Sequence, residues 1–170
     1  MHEMYDYKFE DSNLETWIRV RQTWTLMQMS LEKVLGKIGL TPEQVSVLWI
    51  CRDSEARGRV VVPAEIARIL LRKDQTVTGL LNRLEVDGLV RRISKRRGHP
   101  FTEVKLTDKG REACDIGVAS VKSVVSRTGD TSRIDGDLRK SLNLCLGDIF
   151  TFLADDLNME RIVVSPTVNW

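Results

Sequence analysis

The chain has 170 residues, 42% hydrophobic and 29% charged, with a net charge of +2. That is enough for one compact module with a real core, and too apolar and too evenly charged for a disordered tract. No apolar run approaches the roughly 18 residues that a membrane span requires, so no membrane partner and a cytoplasmic location are expected.

The charge is unevenly placed. Between Gly88 and Arg111 eight Lys or Arg stand against two acids, which leaves the remainder net acidic, with Glu3, Asp6, Glu10 and Asp11 at the start. Three cysteines (Cys51, Cys114 and Cys145) are far apart, and each falls in a helix pattern. They read as buried small hydrophobes in a reducing compartment, with redox sensing as the alternative, and not as a disulfide framework. With only His2 and His99 and no close Cys pair, neither a metal nor another cofactor is expected.

After an irregular opening to about Asn13, Trp17, Trp24, Leu31 and Ile38 recur at sevens, one stripe on a long helix that Gly39 ends. Thr41-Pro42-Glu43-Gln44 starts a second helix: Thr41 caps, Pro42 suits the first helical position and Gln44 completes a capping box. Val45, Leu48 and Trp49 give it a buried face. Gly58 and Val60-Val61-Val62 predict a turn and a very short strand. Pro63 opens a third helix with Ile66, Ala67, Leu70 and Leu71 inward.

A fourth helix, over 74–87, starts near Asp74, whose carboxylate suits a cap and the positive helix end. Val77, Leu80, Leu81 and Leu84 form its inner face, so Gln75, Thr76, Thr78, Gly79, Asn82 and Arg83 fall in part outside. Those residue types suit base edges and phosphates. Gly88 stops the helix. Leu89–Ser94 and Thr102–Leu106 then read as antiparallel strands joined by the basic turn Lys95-Arg96-Arg97-Gly98-His99-Pro100. A fifth helix runs from Thr107-Asp108 to about Arg127, with Gly129-Asp130 and Asp135-Gly136 marking a loop. In the sixth, Leu138, Leu142, Cys145, Ile149 and Phe152 are spaced 4-3-4-3, a short heptad seam. An apolar tail, Ile162-Val163-Val164, follows.

Helix, helix, strand, basic turn, strand is the order of a winged helix-turn-helix, which can set a helix and a cationic hairpin into adjacent grooves of duplex DNA. The fold class is therefore mainly α (α+β). The winged domain spans 41–107, helical regions lie at 12–38 and 108–157, and a tail covers 158–170.

The run Leu80-Leu81-x-Arg83-Leu84-Glu85-x-x-Gly88-Leu89-Val90-x-Arg92, followed by Leu106-Thr107-x-Lys109-Gly110, resembles the MarR-type transcriptional regulators. The helix order over about 12–157 fits as well. The resemblance implies a homodimer whose first and last two helices interlock as a stem, leaving two winged domains to read a palindromic operator. It implies a repressor that releases DNA when a small aromatic or anionic effector binds between stem and winged domain, with Trp24, Met27, Trp49 and Arg52 as effector-binding candidates. One departure is visible. The family often carries Asp-x-Arg in the wing, whereas Gly98-His99-Pro100 stands there and the arginines come earlier, at Arg96 and Arg97.

The leading function is thus sequence-specific binding of double-stranded DNA. Gln75, Thr76, Thr78 and Asn82 would select sequence, Gly79 would lie on the contact face, and Arg72, Lys73, Arg83, Lys95, Arg96 and Arg97 would meet phosphates or the minor groove. Arg83 fits an ion pair with an acid of this chain or a partner as readily as a phosphate. The Trp17/Trp24/Leu31 stripe suits dimer or core packing, or else a ligand cage. The alternative function is a winged-helix protein-interaction module whose basic face meets an acidic protein without sequence-specific DNA binding. No enzyme is expected: there is no nucleophile–base set, no phosphate-cradling glycine loop and too few histidines.

Overall fold

A computed structural model of the chain describes residues 11–94, 102–131, 135–157 and 159. The basic turn with Lys95, Arg96 and Arg97, and all of the expected tail except residue 159, lie outside these.

Helix α1 (Ser12–Leu35) begins where Asp11 accepts from the amides of Asn13 (2.7 Å) and Leu14 (3.3 Å), so the helix takes in Ser12 and Asn13 as well. It ends sooner than the stripe suggests. A 3-10 turn carries Gly36–Ile38, and Gly39 closes it at φ 71°. Helix α2 (Pro42–Ala56) has the expected capping box, with the Gln44 amide donating to Thr41 Oγ1 (3.2 Å) and the Thr41 amide to Gln44 Oε1 (2.9 Å). Val45 and Leu48 are buried, but so are Val47, Ile50 and Cys51, and α2 is enclosed on more than the one face its pattern announced.

The valines at 60–62 form no strand of their own. Among the described residues their one backbone bond to the sheet runs from the Val104 amide to the Val61 carbonyl, 3.0 Å. Helix α3 (Pro63–Leu70) stops one residue short of expectation. Leu71 is its C-cap in the left-handed region at φ 54° and is 42% exposed, because it turns the chain toward the next helix instead of filling the core. Helix α4 (Asp74–Val86) is capped by Lys73, with no side-chain cap bond. Asp74 therefore acts in the first turn, through its charge on the helix dipole, and not as a cap.

Gly88 at φ 70° and the Leu89 amide bonded to the Leu84 carbonyl (2.8 Å) end α4. Strand β1 (Val90–Ser94) pairs antiparallel with β2 (Thr102–Leu106) from Val90↔Leu106 to Ser94↔Thr102. Helix α5 (Asp108–Thr131) continues through the predicted break at Gly129-Asp130. Helix α6 (Gly136–Asp156) starts at Asp135, which accepts from the Leu138 amide at 2.8 Å.

The core lies among α2, α3, α4, the sheet and the start of α5. Leu48, Ile66, Leu81, Leu84, Val104 and Leu106 are fully enclosed there, each worth about 1.5–3 kcal/mol of burial. Cys51 and Cys114 belong to this core; Cys145, expected buried, is exposed on α6. Leu35 is the one buried residue of α1, and α6 has none. Among the described residues no helix is long and apolar enough to cross a membrane.

Candidate nucleic-acid interface

Helix α4 is held by Val77, Leu80, Leu81 and Leu84, all buried as their spacing predicts. The opposite side is left open. Gln75, Thr76, Thr78, Asn82 and Arg83 are exposed, and Gly79 is half-buried with nothing within 4 Å of where a Cβ would stand. At 3.6 residues per turn Gln75, Gly79, Asn82 and Val86 fall on one line along the outer face. Val86, which sequence reading passed over, is 87% exposed on that line.

The cations around this face differ in how they are held. Arg72 lies 3.8 Å from Glu43, with both side chains about half exposed, a loose contact of little energetic weight. Lys73 stands at the head of α4. Arg83 reaches back to the Gly79 carbonyl at 3.4 Å, along its own helix. Arg92 is different: its Nε (2.9 Å) and Nη2 (2.6 Å) donate to Glu85 Oε2, and its amide donates to Glu85 Oε1 at 2.9 Å. These bonds hold the Glu85 carboxyl below the usual carboxylate range. The stability they lend is complete at neutral pH and fades as pH falls through that depressed value. Arg91 and Lys105 face each other across the strands, Arg91 exposed. Sequence reading did not place Arg91 among the candidates, although its position one residue before the tied Arg92 puts it on the opposite face of β1.

The base of the hairpin is clamped. Thr107 Oγ1 donates to the Gly88 carbonyl (2.6 Å) and accepts from the Gly110 amide (2.9 Å), while Lys109 Nζ donates to the Asp87 carbonyl (2.8 Å). Glu55 of α2 accepts from the Leu106 amide at 3.1 Å and pairs with Arg111. Thus the Thr107-x-Lys109-Gly110 part of the motif ties the helix α4 terminus to α5.

A cleft of about 410 Å³ lies between α2 and α5, lined by Trp49, Arg52, Asp53, Ala56, Asp115, Val118, Ala119 and Lys122. It gathers two of the four effector candidates, Trp49 and Arg52. Trp24 and Met27 do not line it; they stand exposed on α1. Asp115, paired with Arg52, and Lys122 were not legible as its walls, because each meets α2 only through the fold. Behind the cleft, burial pushes the Cys51 thiol up to about 12, and burial raises Cys114 against the opposing hydrogen bond from Arg52. Burial thus disfavours the thiolate form at both positions.

Residues 38–99 match the model of the MarR family. The chain is similar to the transcriptional activatory protein BadR of Rhodopseudomonas palustris, at 30% identity over 112 residues, 65% of this chain and 62% of that relative. It therefore spans somewhat less than two thirds of the relative's length. Among solved structures it is similar to a Staphylococcus aureus MarR in complex with salicylate and kanamycin (TM-score 0.73, 19% identity, 86% of this chain and 95% of that one). It is also similar to an E. coli MarR variant in complex with operator DNA (TM-score 0.70, 20% identity, 84% and 99%). At these identities the structures speak for the fold. They show a winged helix-turn-helix fold, and over residues 38–99 the chain is similar to the MarR family.

Proposed function

We propose that this chain is a homodimeric, sequence-specific, ligand-responsive regulator of transcription that acts on a palindromic operator in the cytoplasm. Helix α4 enters the major groove, with Gln75, Thr76, Thr78 and Asn82 reading base edges. Arg72, Lys73, Arg83 and the wing residues Lys95, Arg96 and Arg97 supply the salt-dependent attraction to the backbone and minor groove. Repression follows where the operator overlaps a promoter. The R. palustris relative is named an activatory protein, so the sign of control belongs to operator placement and not to the DNA-reading parts.

The observation that carries this reading is the outer face of α4, where Gln75, Thr76, Thr78, Asn82 and Arg83 stand exposed over the buried Val77, Leu80, Leu81 and Leu84, with Gly79 on the same face. A glycine inside a helix costs about 1 kcal/mol relative to alanine. At Gly79 an added Cβ would meet nothing in the chain, so the fold itself has no use for the missing methyl group. A groove wall landing on α4 does. Gly79→Ala is accordingly expected to raise the stability of the free protein by about 0.5–1 kcal/mol while lowering affinity for its selected duplex at least tenfold. Denaturant titration and a binding isotherm on the same variant check both signs. A more stable variant that binds as tightly as its parent would remove α4 from the interface.

A second copy is the partner for the stem. Leu138, Leu142, Ile149 and Phe152 are all exposed on α6, as are Trp17 and Trp24 on α1, more apolar surface than a lone subunit leaves to water. The cleft sets Trp49 and Lys122 beside the Arg52–Asp115 pair, so a small aromatic anion would bind there by taking Arg52 from Asp115; the similar S. aureus protein was solved with salicylate. Such a ligand would act by favouring a dimer geometry whose two α4 helices no longer match the half-site spacing.

A further inference from the structure

Arg92 sits in the most basic segment of the chain and invites assignment as one more phosphate contact. Its guanidinium is already engaged. Glu85, in the last turn of α4, takes two bonds from it (2.9 and 2.6 Å) and a third, 2.9 Å, from the Arg92 amide. One carboxylate thus grips both the main chain and the side chain of the middle residue of β1, across the Gly88 turn. Two guanidinium N–H groups converge on Oε2 and the amide holds Oε1, so the carboxylate is fixed at three points.

The pair is neither deeply buried nor part of the core: its side chains are 29% and 36% exposed. As an exposed ion pair it adds little to stability. Its position gives it another use. Arg92 is the middle residue of β1, paired with Val104 of β2, so a small rotation there turns both described strands of the hairpin against α4. Binding two grooves at once also rewards a fixed angle between the two elements that enter them.

We propose that Glu85 and Arg92 form a positioning pair that sets the angle between the reading helix and the wing, and that Arg92 touches no phosphate. The inference rests on the DNA-binding reading above. Glu85 acts through Arg92 and β1, with no contact to DNA of its own. Its negative charge beside a polyanion is therefore a cost that the fixed geometry outweighs.

The test uses the full chain, a duplex selected by the parent protein, and the variants E85Q, R92Q and the double variant across a salt series. Both single variants are expected to bind about tenfold more weakly, with the slope of log affinity against log salt unchanged, and the double variant no worse than either single. E85Q is the discriminating case, because removing a repelling charge would otherwise tighten binding. In the free protein, E85Q should speed hydrogen exchange at the Arg92 amide while leaving α2 protected. Tighter binding by E85Q overturns the proposal. So does a slope reduced by about 1 in R92Q, the change expected if Arg92 neutralised one phosphate. Additive losses in the double variant, or unchanged exchange at Arg92, overturn it equally. A parent that binds no duplex overturns the functional reading and the proposal together; a parent that binds with E85Q unaffected overturns the proposal alone.

Discussion

Gly110→Ala is expected to lose about 3 kcal/mol or more of unfolding free energy, a large share of the roughly 5–15 kcal/mol that holds a domain together. A Cβ on Gly110 would be driven into the carbonyl oxygen of Leu89 and would stand 2.8 Å from its carbon. Both are backbone atoms at the joint where α4 ends and β1 begins, and they cannot swing aside as a side chain does. The clash would also pull apart the Thr107 bonds to Gly88 and Gly110. Gly117 is a useful contrast. There the added atom meets the Val45 methyl groups at 2.8 and 3.1 Å, and those can give, so a smaller loss is expected. Urea unfolding of the two variants beside Gly79→Ala should therefore show a large loss, a smaller loss and a gain. An unfolding free energy for Gly110→Ala within about 1 kcal/mol of the parent would mean that the close approach of α5 to Leu89 does not hold the joint.

The second large effect belongs to α6. Replacing Leu142 and Ile149 together by Asp should abolish self-association and weaken binding to a selected duplex by at least a hundredfold. Each protomer alone would hold one half-site and lose the effective concentration that links the two. The winged domain should stay folded, because no residue of α6 is buried in the subunit and the core at Leu48, Leu81 and Leu106 is untouched. Light scattering and circular dichroism on the same sample separate the two effects. A variant that remains a dimer, or that binds its duplex as the parent does, would contradict the stem assigned to α1, α5 and α6.

The local signals in the chain were legible where one short stretch decides the structure. The Thr41–Gln44 capping box, Gly88 as a left-handed stop and the inward set Val77, Leu80, Leu81 and Leu84 follow from spacing and backbone chemistry alone. The errors came where distant residues decide. Leu71 looked like one more inward leucine, yet α3 must end at Leu70 for the chain to turn into α4, which leaves Leu71 outside. The valines at 60–62 have strand composition, but one bond from Val104 is all that links them to the described sheet. Gly129-Asp130 reads as a break, and α5 runs through it. Cys145 shares the helical setting of Cys51 and Cys114; only the fold shows that it stands exposed while they are enclosed.

The candidate site divides in the same way. Its reading face could be inferred by subtracting the buried set of α4 from the helix. The Glu85–Arg92 fork spans seven residues and a turn, and the cleft joins residues some 60 positions apart, such as Arg52 and Asp115. Pairings of that kind leave no local pattern. They set the division between Arg92 and Arg83, two arginines of similar surroundings in sequence. One is consumed by a structural fork; the other reaches back along its own helix.

Two copies of α4, held by one stem, are proposed to read an inverted repeat. Selection of bound duplexes from a random pool tests it most directly, with the parent and with Asn82→Ala and Gln75→Ala. The expected result is enrichment of two inverted half-sites centred about 10–10.5 base pairs apart or a multiple of that, with the tolerated bases within each half-site shifting in the variants. Recovery of no inverted repeat, or of one motif shared unchanged by parent and variants, would contradict it.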